Sequence, residues 1–312
     1  MTASARQRLT GTAALATATV LWAGSFIATR SISTSSGGFG PFSVLAGRTA
    51  IAAAAFAVPA LAGRVQRPKR RDLPLVLVTS ISGSLGYLVM FHLGARDATA
   101  ATASLVINLA PVLGMVAAAV ALHDRLGRRK LLGIGLAVAG TVPVSLADGG
   151  GFRLNAAVAW LVGAAIAAAT YVVASKPLVD RYDGLSVTAW GWWISLPFGA
   201  AFLPGAVRDA TNASASSLGA LVYLGLGSSA LAYTAWGAGL RRTTASAAAA
   251  WLFAVPVIAT LGAWALLGER PGATTALGGT VALIGVWLAT GRPADASLAP
   301  GDAISDGSGA PR

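Results

Sequence analysis

The sequence contains no cysteine and only two histidines, His92 and His123. Without cysteine the chain forms no disulfide, and it offers no thiolate nucleophile and no cysteine ligand for zinc or an iron–sulfur cluster. Two isolated histidines also leave little for a histidine-ligated metal. We therefore predict no cofactor, no metal site and no catalytic residues, and we do not expect an enzyme.

Charged residues are scarce as well, at 11% of the 312 residues, whereas hydrophobic residues make up 55% and the mean hydropathy is +0.69. Ordinary soluble domains carry roughly 25% charged residues. Since a soluble protein of this length has no use for so much apolar surface, the expected solvent of the chain is the lipid bilayer.

A helix needs about 20 residues to cross a hydrocarbon core of about 30 Å, and ten apolar runs are close to that length. The expected fold class is all-α integral membrane, with ten transmembrane helices at 11–30, 41–62, 73–94, 99–121, 129–148, 155–175, 185–204, 217–240, 244–267 and 274–291. After residue 291 the composition changes to proline, glycine, aspartate, serine and alanine, which is typical of disorder. We predict a disordered cytoplasmic tail at 292–312.

The placement of lysine and arginine predicts the orientation of these helices. With a cytoplasmic N-terminus, 17 of the 23 basic residues fall in inner segments, five in outer loops, and Arg48 inside a span. Cytoplasmic loops of membrane proteins carry an excess of such residues. We therefore expect a multi-pass protein of the cytoplasmic (inner) membrane with both termini in the cytoplasm. The bias accounts for the net charge of +12, so we expect no nucleic-acid partner.

Residues 99–140 and 244–285 are two copies of one segment, aligned without a gap at an offset of 145 residues. We predict two repeats of five helices, at 1–150 and 151–291. Because five is odd, the second repeat is inverted in the membrane, an arrangement typical of secondary transporters that open a central site alternately to each side. A duplication with only structural meaning is the alternative. Cleavage of the first span as a signal peptide would break the symmetry, so we expect that span to be retained.

Four short motifs carry a resemblance to a known family. They are Trp22-Ala-Gly-Ser25-Phe26, Pro41 to Arg48, Pro111 to Asp124-Arg125, and Pro256 to Gly268-Glu269-Arg270. By these motifs, their order and the duplication, residues 11–291 resemble the drug/metabolite transporter superfamily and, within it, the EamA family of ten-helix carriers. The family's usual Gly-Glu after the fourth helix is His123-Asp124 here. The resemblance implies a carrier of small metabolites, amino acids, nucleotide sugars or drugs, often directed outward.

Polar and aromatic residues inside the spans are expected to face the bundle interior, because they are costly against lipid. Helical spacing places several of them on shared faces in the first, third, sixth and eighth spans. We predict that a substrate pathway is lined by Trp22, Ser25, Ser84, Tyr87, Tyr171, Ser229, Tyr233 and Trp236. Helix packing, with hydroxyls bonded to their own backbone, is an equal alternative. An interfacial aromatic belt is a further alternative for Tyr87, Tyr233 and Trp236.

Arg48 is the sharpest single candidate, since it lies about seven residues and therefore about 10 Å into the second span, at about 1.5 Å per residue. A charge at that depth is expensive and usually functional. It could bind a substrate carboxylate or phosphate, and snorkelling to the outer headgroups is the alternative. The repeat mate of Arg48 is Trp193, and that of Asn108 is Phe253. Because the halves differ there, we predict that Arg48 and Asn108 help to select the substrate.

Proline and glycine also mark positions in the repeat. Pro111 and Pro256 lie in the fourth and ninth spans, where each removes a backbone hydrogen bond, so we predict a kink or hinge. Four glycines share one face of the fifth and tenth spans: Gly133, Gly140, Gly278 and Gly285. Small residues there favour close helix packing, with a homodimer contact as a further option.

All eleven carboxylates fall in loops, at helix ends or in the tail. Proton-coupled carriers commonly relay through acidic or histidine residues inside the membrane, so we expect facilitated or weakly coupled transport. The expected function is a secondary transporter that moves a small metabolite, such as an amino acid, outward by alternating access. Its partners are the lipid bilayer and this solute. A drug or xenobiotic exporter is the alternative within transport, and a non-transporting structural or regulatory membrane protein is the alternative from another class.

Overall fold

Every secondary-structure element is a helix in the residues that the structure, a computed structural model, describes: 3–34, 38–97, 106–107, 109–124, 126–146, 156–267 and 272–290. The α-helices, numbered in chain order, are α1, Ala3–Thr34; α2, Pro41–Ala55; α3, Ala57–Leu61; α4, Leu73–Ser80; α5, Tyr87–Asp97; α6, Leu109–Ala121; α7, Arg128–Leu146; α8, Ala156–Arg181; α9, Gly184–Ala200; α10, Leu203–Asn212; α11, Ala215–Val222; α12, Ala232–Leu240; α13, Ala245–Ala250; α14, Ala254–Leu267; and α15, Ala273–Thr290. Two π-helical segments, Ile81–Gly86 and Tyr223–Leu231, and two 3₁₀ segments, Arg70–Asp72 and Trp251–Phe253, connect some of them directly.

Six described helical segments are long and apolar enough to cross a membrane: Leu9–Thr29, Pro41–Leu61, Arg70–Phe91, Ala156–Arg181, Ala215–Leu240 and Ala245–Leu266. Apolar runs form helices in lipid because each backbone polar group must find its partner within the segment. Two shorter apolar helices, Leu109–Ala121 and Leu277–Ala289, lie in the fourth and tenth predicted spans. The helical fold class with several membrane spans is therefore confirmed, while the count of ten stays a prediction.

Helices from the two predicted repeats exchange packing partners. Helix α1 packs against α12 and α14, whereas α8 packs against α5 and α6. In terms of the predicted spans, the first contacts the eighth and ninth, and the sixth contacts the third and fourth. Each half of the chain thus packs on the other half in the same way.

Helices α7 and α15 cross at glycine with their backbones in contact. A Cβ added to Gly133 would lie 2.5 Å from the backbone nitrogen of Ala289, and one added to Gly285 would lie 2.8 Å from the Cα of Ala137. These contacts run antiparallel, and Gly140 and Gly278 are buried on the same two helices. Large apolar side chains on these helices, including Leu132, Leu277 and Trp287, are exposed, as expected for surfaces that face lipid.

The third and eighth predicted spans contain π-helical turns at matching positions. An offset of 145 residues carries 81–86 onto 226–231, inside the longer π segment Tyr223–Leu231. The Ser229 hydroxyl donates to the carbonyl oxygen of Leu224, five residues back, at 2.7 Å. π-Helical turns are rare and occur frequently at functional sites, and both of these border the site described below.

The two prolines lie close to the starts of their helices. Pro111 is the third residue of α6 as described, and Pro256 is the third residue of α14. The 3₁₀ turn Trp251–Phe253 directly precedes α14. The hinge role of these prolines stays a prediction. Phe253, the mate of Asn108, is fully buried in the largest apolar cluster.

Candidate functional site

Five aromatic side chains meet in the middle of the bundle and form what we term the aromatic cluster: Trp22, Tyr171, Trp192, Tyr233 and Trp236. Tyr233 lies at its centre, with ring centroids 5.1 Å from Trp22, 5.4 Å from Tyr171 and 5.7 Å from Trp192. Each edge-to-face pair at such a distance stabilises the fold by about 0.5–1.5 kcal/mol beyond the contribution from burying the rings. The rings come from α1, α8, α9 and α12, so the cluster joins both predicted repeats.

Trp236 joins the cluster through Trp22, at a centroid distance of 5.2 Å. Its side chain is fully buried, and its indole Nε1–H has no hydrogen-bond partner within the described residues. A fully buried indole does not face the lipid headgroups, so the interfacial-belt alternative is wrong for Trp236.

Arg48 points inward from α2 to the π segment of the eighth predicted span. Its Nε donates to the Ser229 hydroxyl at 2.5 Å, and its Nη2 donates to the Ser228 hydroxyl at 3.0 Å. The guanidinium carbon lies 5.9 Å from the Trp192 ring centroid, within cation–π range. No carboxylate pairs with Arg48 in the described ranges. The side chain therefore bonds into the bundle instead of reaching the outer headgroups.

The π segment brings both serines to Arg48 and is tied to α1. The carbonyl oxygen of Ser228 accepts from the Trp22 indole at 3.1 Å, while its hydroxyl accepts from Arg48. Gly225 in the same segment allows α2 to approach, because a Cβ there would lie 2.5 Å from Ile51. The arginine, the serines and the aromatic cluster thus form one connected unit.

The start of α2, which positions Arg48, is fixed by a contact outside the spans. The Asp209 carboxylate accepts hydrogen bonds from the Ser43 hydroxyl and from the Gly40 backbone N–H, the latter at 3.1 Å. These two donors lower the pKa of Asp209 below its usual value, the Ser43 bond contributing most. Phe42 stacks on Phe202 with centroids 4.9 Å apart and joins the same ends of the helices.

A small cavity lies beside the aromatic cluster, and we term it the hydroxyl chamber. Its volume is about 10 Å³, and its polar and aromatic lining consists of Thr79, Ser80, Ser84, Tyr171, Thr188, Trp192 and Tyr233. A space of about 10–15 Å³ is the minimum for one water molecule. Gly83 shapes one wall, because a Cβ there would collide with the Tyr171 ring, and its carbonyl oxygen accepts from the Tyr233 hydroxyl at 2.7 Å.

Serines from two helices meet beside the chamber. The hydroxyls of Ser84 and Ser195 lie 2.5 Å apart, and either can donate to the other. Each also lies within hydrogen-bond distance of a carbonyl of its own helix, Ser84 of the Ser80 carbonyl and Ser195 of the Gly191 carbonyl, so the two protons serve two of these three contacts. The backbone bonding that the sequence left as an alternative is therefore present. It coexists with a contact between helices.

Most of the predicted pathway residues come together, and some do not. Trp22, Tyr171, Tyr233 and Trp236 share the aromatic cluster, and Ser229 bonds Arg48, while Ser84 borders the chamber. Ser25 donates to the Trp22 carbonyl of its own helix at 2.6 Å. Tyr87 stacks on Phe91 with centroids 5.9 Å apart. Asn108 lies outside the described residues, as does the predicted tail 292–312.

Five site residues were not predicted from the sequence: Thr79, Thr188, Trp192, Ser195 and Ser228. A usable signal was present for three of them, since Thr188, Trp192 and Ser195 follow the i, i+4, i+7 spacing of one helix face in the seventh predicted span. The same criterion had identified the stripe in the third span.

A larger cavity of about 600 Å³ opens between α2, α5, α8 and α9. Its lining is apolar and includes Leu45, Met90, Trp160, Phe198 and Phe202. Such a lining offers nothing to a charged solute.

At the end of the bundle predicted to be cytoplasmic, the two repeats are joined by a contact that we term the Asp124–Ser246 latch. The Asp124 carboxylate accepts from the Ser246 backbone N–H at 3.0 Å, and Lys130 Nζ donates to the Ser246 hydroxyl at 3.0 Å. His123 sets up this geometry with a left-handed φ of 55° at the end of α6. That conformation favours glycine, which is the residue usual here in the family that the sequence resembles. Glu269, the mate of Asp124, lies outside the described residues.

A buried carboxylate lies at the same end. Asp72 is 2% exposed, and it accepts a hydrogen bond from the Tyr182 hydroxyl at 2.7 Å and pairs with the Arg181 guanidinium. The charge is therefore compensated, as buried charges must be. This network fastens the start of the third predicted span to the junction between α8 and α9.

Comparison with known proteins places these features in a family context. The model of the EamA-like transporter family matches the chain twice, at residues 9–146 and 155–291. A protein of Streptantibioticus cattleyicolor named "Probable terminal-alkyne amino-acid exporter" is 33% identical over 276 residues, covering 88% of this chain and 91% of that protein. An "Uncharacterized transporter" of Archaeoglobus fulgidus is 30% identical over 249 residues, covering 80% and 88%. A solved crystal structure superposes with a TM-score of 0.72 at 25% identity, covering 92% of this chain and 96% of the other.

Proposed function

This chain belongs to the EamA-like transporter family, and we propose that it exports a small carboxylate-bearing metabolite, an amino acid or a related organic solute, by alternating access. Its relatives are named as transporters and exporters, so it is a membrane transporter and not an enzyme. The observation that carries the proposed substrate class is Arg48, a cation inside the bundle whose described partners are all neutral.

The neutral surroundings of Arg48 favour an anionic ligand. Removing an ion from water costs several kcal/mol, and the cost is recovered only when a partner of opposite charge or sufficient hydrogen bonds replace the water. Two serine hydroxyls and the face of Trp192 offset part of it without supplying negative charge. A substrate carboxylate would supply that charge, and the planar guanidinium suits its two oxygens. The name of the relative from Streptantibioticus cattleyicolor supports an amino acid as the bearer of that carboxylate.

We propose that the chain forms ten transmembrane helices in two inverted repeats, 1–150 and 151–291, followed by a cytoplasmic tail. Three observations support this arrangement. The family model matches once in each half, the helices of the two halves exchange packing partners, and π-helical turns recur at the same repeat position. An inverted pair of equal halves can exchange conformations, which moves a central site from one membrane face to the other.

Transport then requires the aromatic cluster to separate. The hydroxyl chamber, at about 10 Å³, has no room for an amino acid, so the described conformation is closed around the site. We propose that the Asp124–Ser246 latch holds the cytoplasmic side shut, since it joins α7 and the end of α6 to the start of α13. Bending near Pro111 and Pro256 would release it.

The proposed location is the cytoplasmic membrane, with both termini inside and transport directed outward. The distribution of basic residues supports this orientation. The exporter named among the relatives supports the direction.

The proposal is tested by efflux from liposomes that contain the purified full-length protein. Liposomes are loaded with labelled L-propargylglycine, a terminal-alkyne amino acid, or with labelled L-leucine, and release is compared with protein-free liposomes. Arg48→Gln is expected to lower the rate about tenfold or more, because a hydrogen-bonded charge contributes about 1.5–3 kcal/mol. Arg48→Lys keeps the charge and is expected to lose less.

Arg64→Gln is the matched control, because Arg64 is an exposed arginine outside the predicted spans. It should leave efflux unchanged. If neither amino acid is released faster than from empty liposomes, and a wider set of carboxylate-bearing metabolites behaves alike, the proposed function is wrong. If the Arg48 and Arg64 variants lower efflux equally, Arg48 does not bind the substrate.

Export of apolar drugs is the second candidate, and the apolar cavity of about 600 Å³ favours it. Ligand pockets commonly measure about 300–1,000 Å³ and are mostly apolar. A drug exporter would move lipophilic compounds without a carboxylate in the same liposomes. Its rate would be insensitive to Arg48→Gln and sensitive to a polar substitution at Met90, which lines that cavity.

A further inference from the structure

The hydroxyl of Thr79 is buried without a hydrogen-bond partner. Thr79 is 4% exposed, and its Oγ1 contacts no donor or acceptor among the described residues. Burying an unpaired hydroxyl costs about 1–3 kcal/mol. A ligand that forms a hydrogen bond with this atom would recover that cost. Thr79 lines the hydroxyl chamber, and the chamber is the space in which that ligand would lie.

We propose that the hydroxyl chamber binds the ammonium group of the substrate, while Arg48 binds its carboxylate. This inference rests on the proposed function and narrows its substrate class to zwitterionic α-amino acids. An ammonium group is about as large as a water molecule, and the chamber holds one group of that size.

The lining of the chamber suits a cation that donates hydrogen bonds. The hydroxyls of Ser80 and Thr188 already donate to backbone carbonyls of their own helices at 2.7 Å. Their protons are thus directed to the backbone, which leaves oxygen lone pairs for a donor, as at Thr79. An ammonium has three N–H donors and no acceptor, which matches a wall of acceptors.

Aromatic rings complete the chamber. Tyr171, Trp192 and Tyr233 line it, and the face of such a ring attracts a cation with about 0.5–2 kcal/mol. No basic side chain lines the chamber within the described residues. A cation would therefore meet attraction from both the rings and the hydroxyl oxygens.

Trp192 places the two binding positions side by side. It lines the chamber and also lies under the Arg48 guanidinium, 5.9 Å from ring centroid to Cζ. Tyr233 lines the chamber as well, and its ring centroid lies 5.7 Å from that of Trp192. An α-amino acid carries its ammonium and carboxylate on one carbon, so it needs two binding positions near one another, and here both positions share the Trp192 ring.

The residues that would bind the two charges have no chemical equivalent at their repeat-related positions. The repeat mate of Thr79 is Leu224, which is fully buried and apolar. The mate of Arg48 is Trp193. The anion-binding and cation-binding groups therefore occur once each in an otherwise repeated scaffold, as a substrate with one positive and one negative end requires.

The test compares each amino acid with its counterpart that lacks the amino group. Binding of L-propargylglycine and of 4-pentynoic acid to the purified full chain is measured, and L-leucine and 4-methylpentanoic acid form a second pair. Thr79→Val keeps the shape and removes the hydroxyl. It is expected to weaken amino-acid binding about tenfold, as loss of a bond to a charged group predicts, and to leave the acids unaffected. Arg48→Gln should weaken both members of each pair.

Thr19→Val is the matched control, because Thr19 is fully buried and its hydroxyl bonds the Leu15 carbonyl at 2.8 Å, away from the chamber. It should change neither affinity. If Thr79→Val weakens amino acids and their acid counterparts equally, or alters only thermal stability, the chamber holds a structural water and the inference is overturned. If the wild type neither binds nor exports any amino acid, the proposed function fails first, and the ammonium site falls with it.

Discussion

Gly133 and Gly285 lie against each other's backbones: a Cβ added to either glycine would lie 2.7 Å from the carbonyl oxygen of the other. The relationship is mutual, so each helix presents its backbone where the other has no side chain. Glycine permits this approach because it has no side chain. Such close packing stabilises contacts between helices in a membrane. The contact fixes α7 against α15.

The first prediction concerns this crossing. Gly285→Ala should lower the melting temperature of the purified protein clearly, because overpacking a close contact costs about 1–3 kcal/mol. Gly135→Ala in α7 is the control, since a Cβ at Gly135 meets nothing within 4 Å. Thermal unfolding in one detergent compares the two. Equal melting temperatures would show that the crossing tolerates a methyl group and is not tightly packed.

The second prediction separates the ring of Tyr233 from its hydroxyl. Tyr233→Phe loses the bond to the Gly83 carbonyl and should cost about 1 kcal/mol of stability, with efflux largely retained. Tyr233→Ala removes the centre of the aromatic cluster and should cost about 3–5 kcal/mol, with efflux lost. Tyr223→Phe is the matched control, because it loses a similar bond, to the Leu21 carbonyl at 2.8 Å, outside the cluster. An active Tyr233→Ala variant would remove the cluster from the transport pathway.

The third prediction uses the absence of native cysteine, which makes any introduced cysteine unique. Ala249 is fully buried and lies three residues after Ser246 of the Asp124–Ser246 latch. Maleimide should label Ala249→Cys slowly, and Asp124→Ala in the same chain should raise the labelling rate about tenfold, as loss of a charge-assisted bond predicts. Asp183→Ala is the control, since Asp183 caps its own helix by accepting from Ser186 N–H at 2.6 Å. Equal labelling in all three chains would argue against a gate here.

The fourth prediction is that a proton gradient does not drive efflux. Among the described residues Asp72 is the buried carboxylate, and it is already paired with Arg181 and Tyr182. Efflux rates measured with and without a pH gradient across the liposome should therefore agree. Strong acceleration by the gradient, abolished in His92→Ala, would contradict this and make His92 the coupling group.

Several features of the molecule follow from local sequence. Apolar runs such as 156–181 become helices because a backbone in lipid must satisfy its own hydrogen bonds, and length alone then indicates a membrane span. The isolation of Arg48 in an apolar run was also visible in the sequence, as were the polar helix faces that contain Ser84 in the third predicted span and Ser229 in the eighth. These signals depend on neighbours within one or two helical turns.

Contacts between helices could not be predicted from local sequence in the same way. In a bilayer the lipid-facing and bundle-facing sides of a helix are both apolar, so hydrophobic periodicity does not reveal how a helix is rotated. The sequence therefore identified Tyr233 as a candidate but could not tell that Trp192 completes its surroundings.

The sequence by itself determined that this chain is a helical membrane protein with duplicated segments and one arginine within a span, because composition and repeat spacing express those properties directly. Only the tertiary structure decided that Arg48 bonds Ser228 and Ser229, about 180 residues away, and that Thr79 is left unpaired beside Trp192. Such pairings depend on how distant helices cross and rotate, and that is set by packing over the whole bundle.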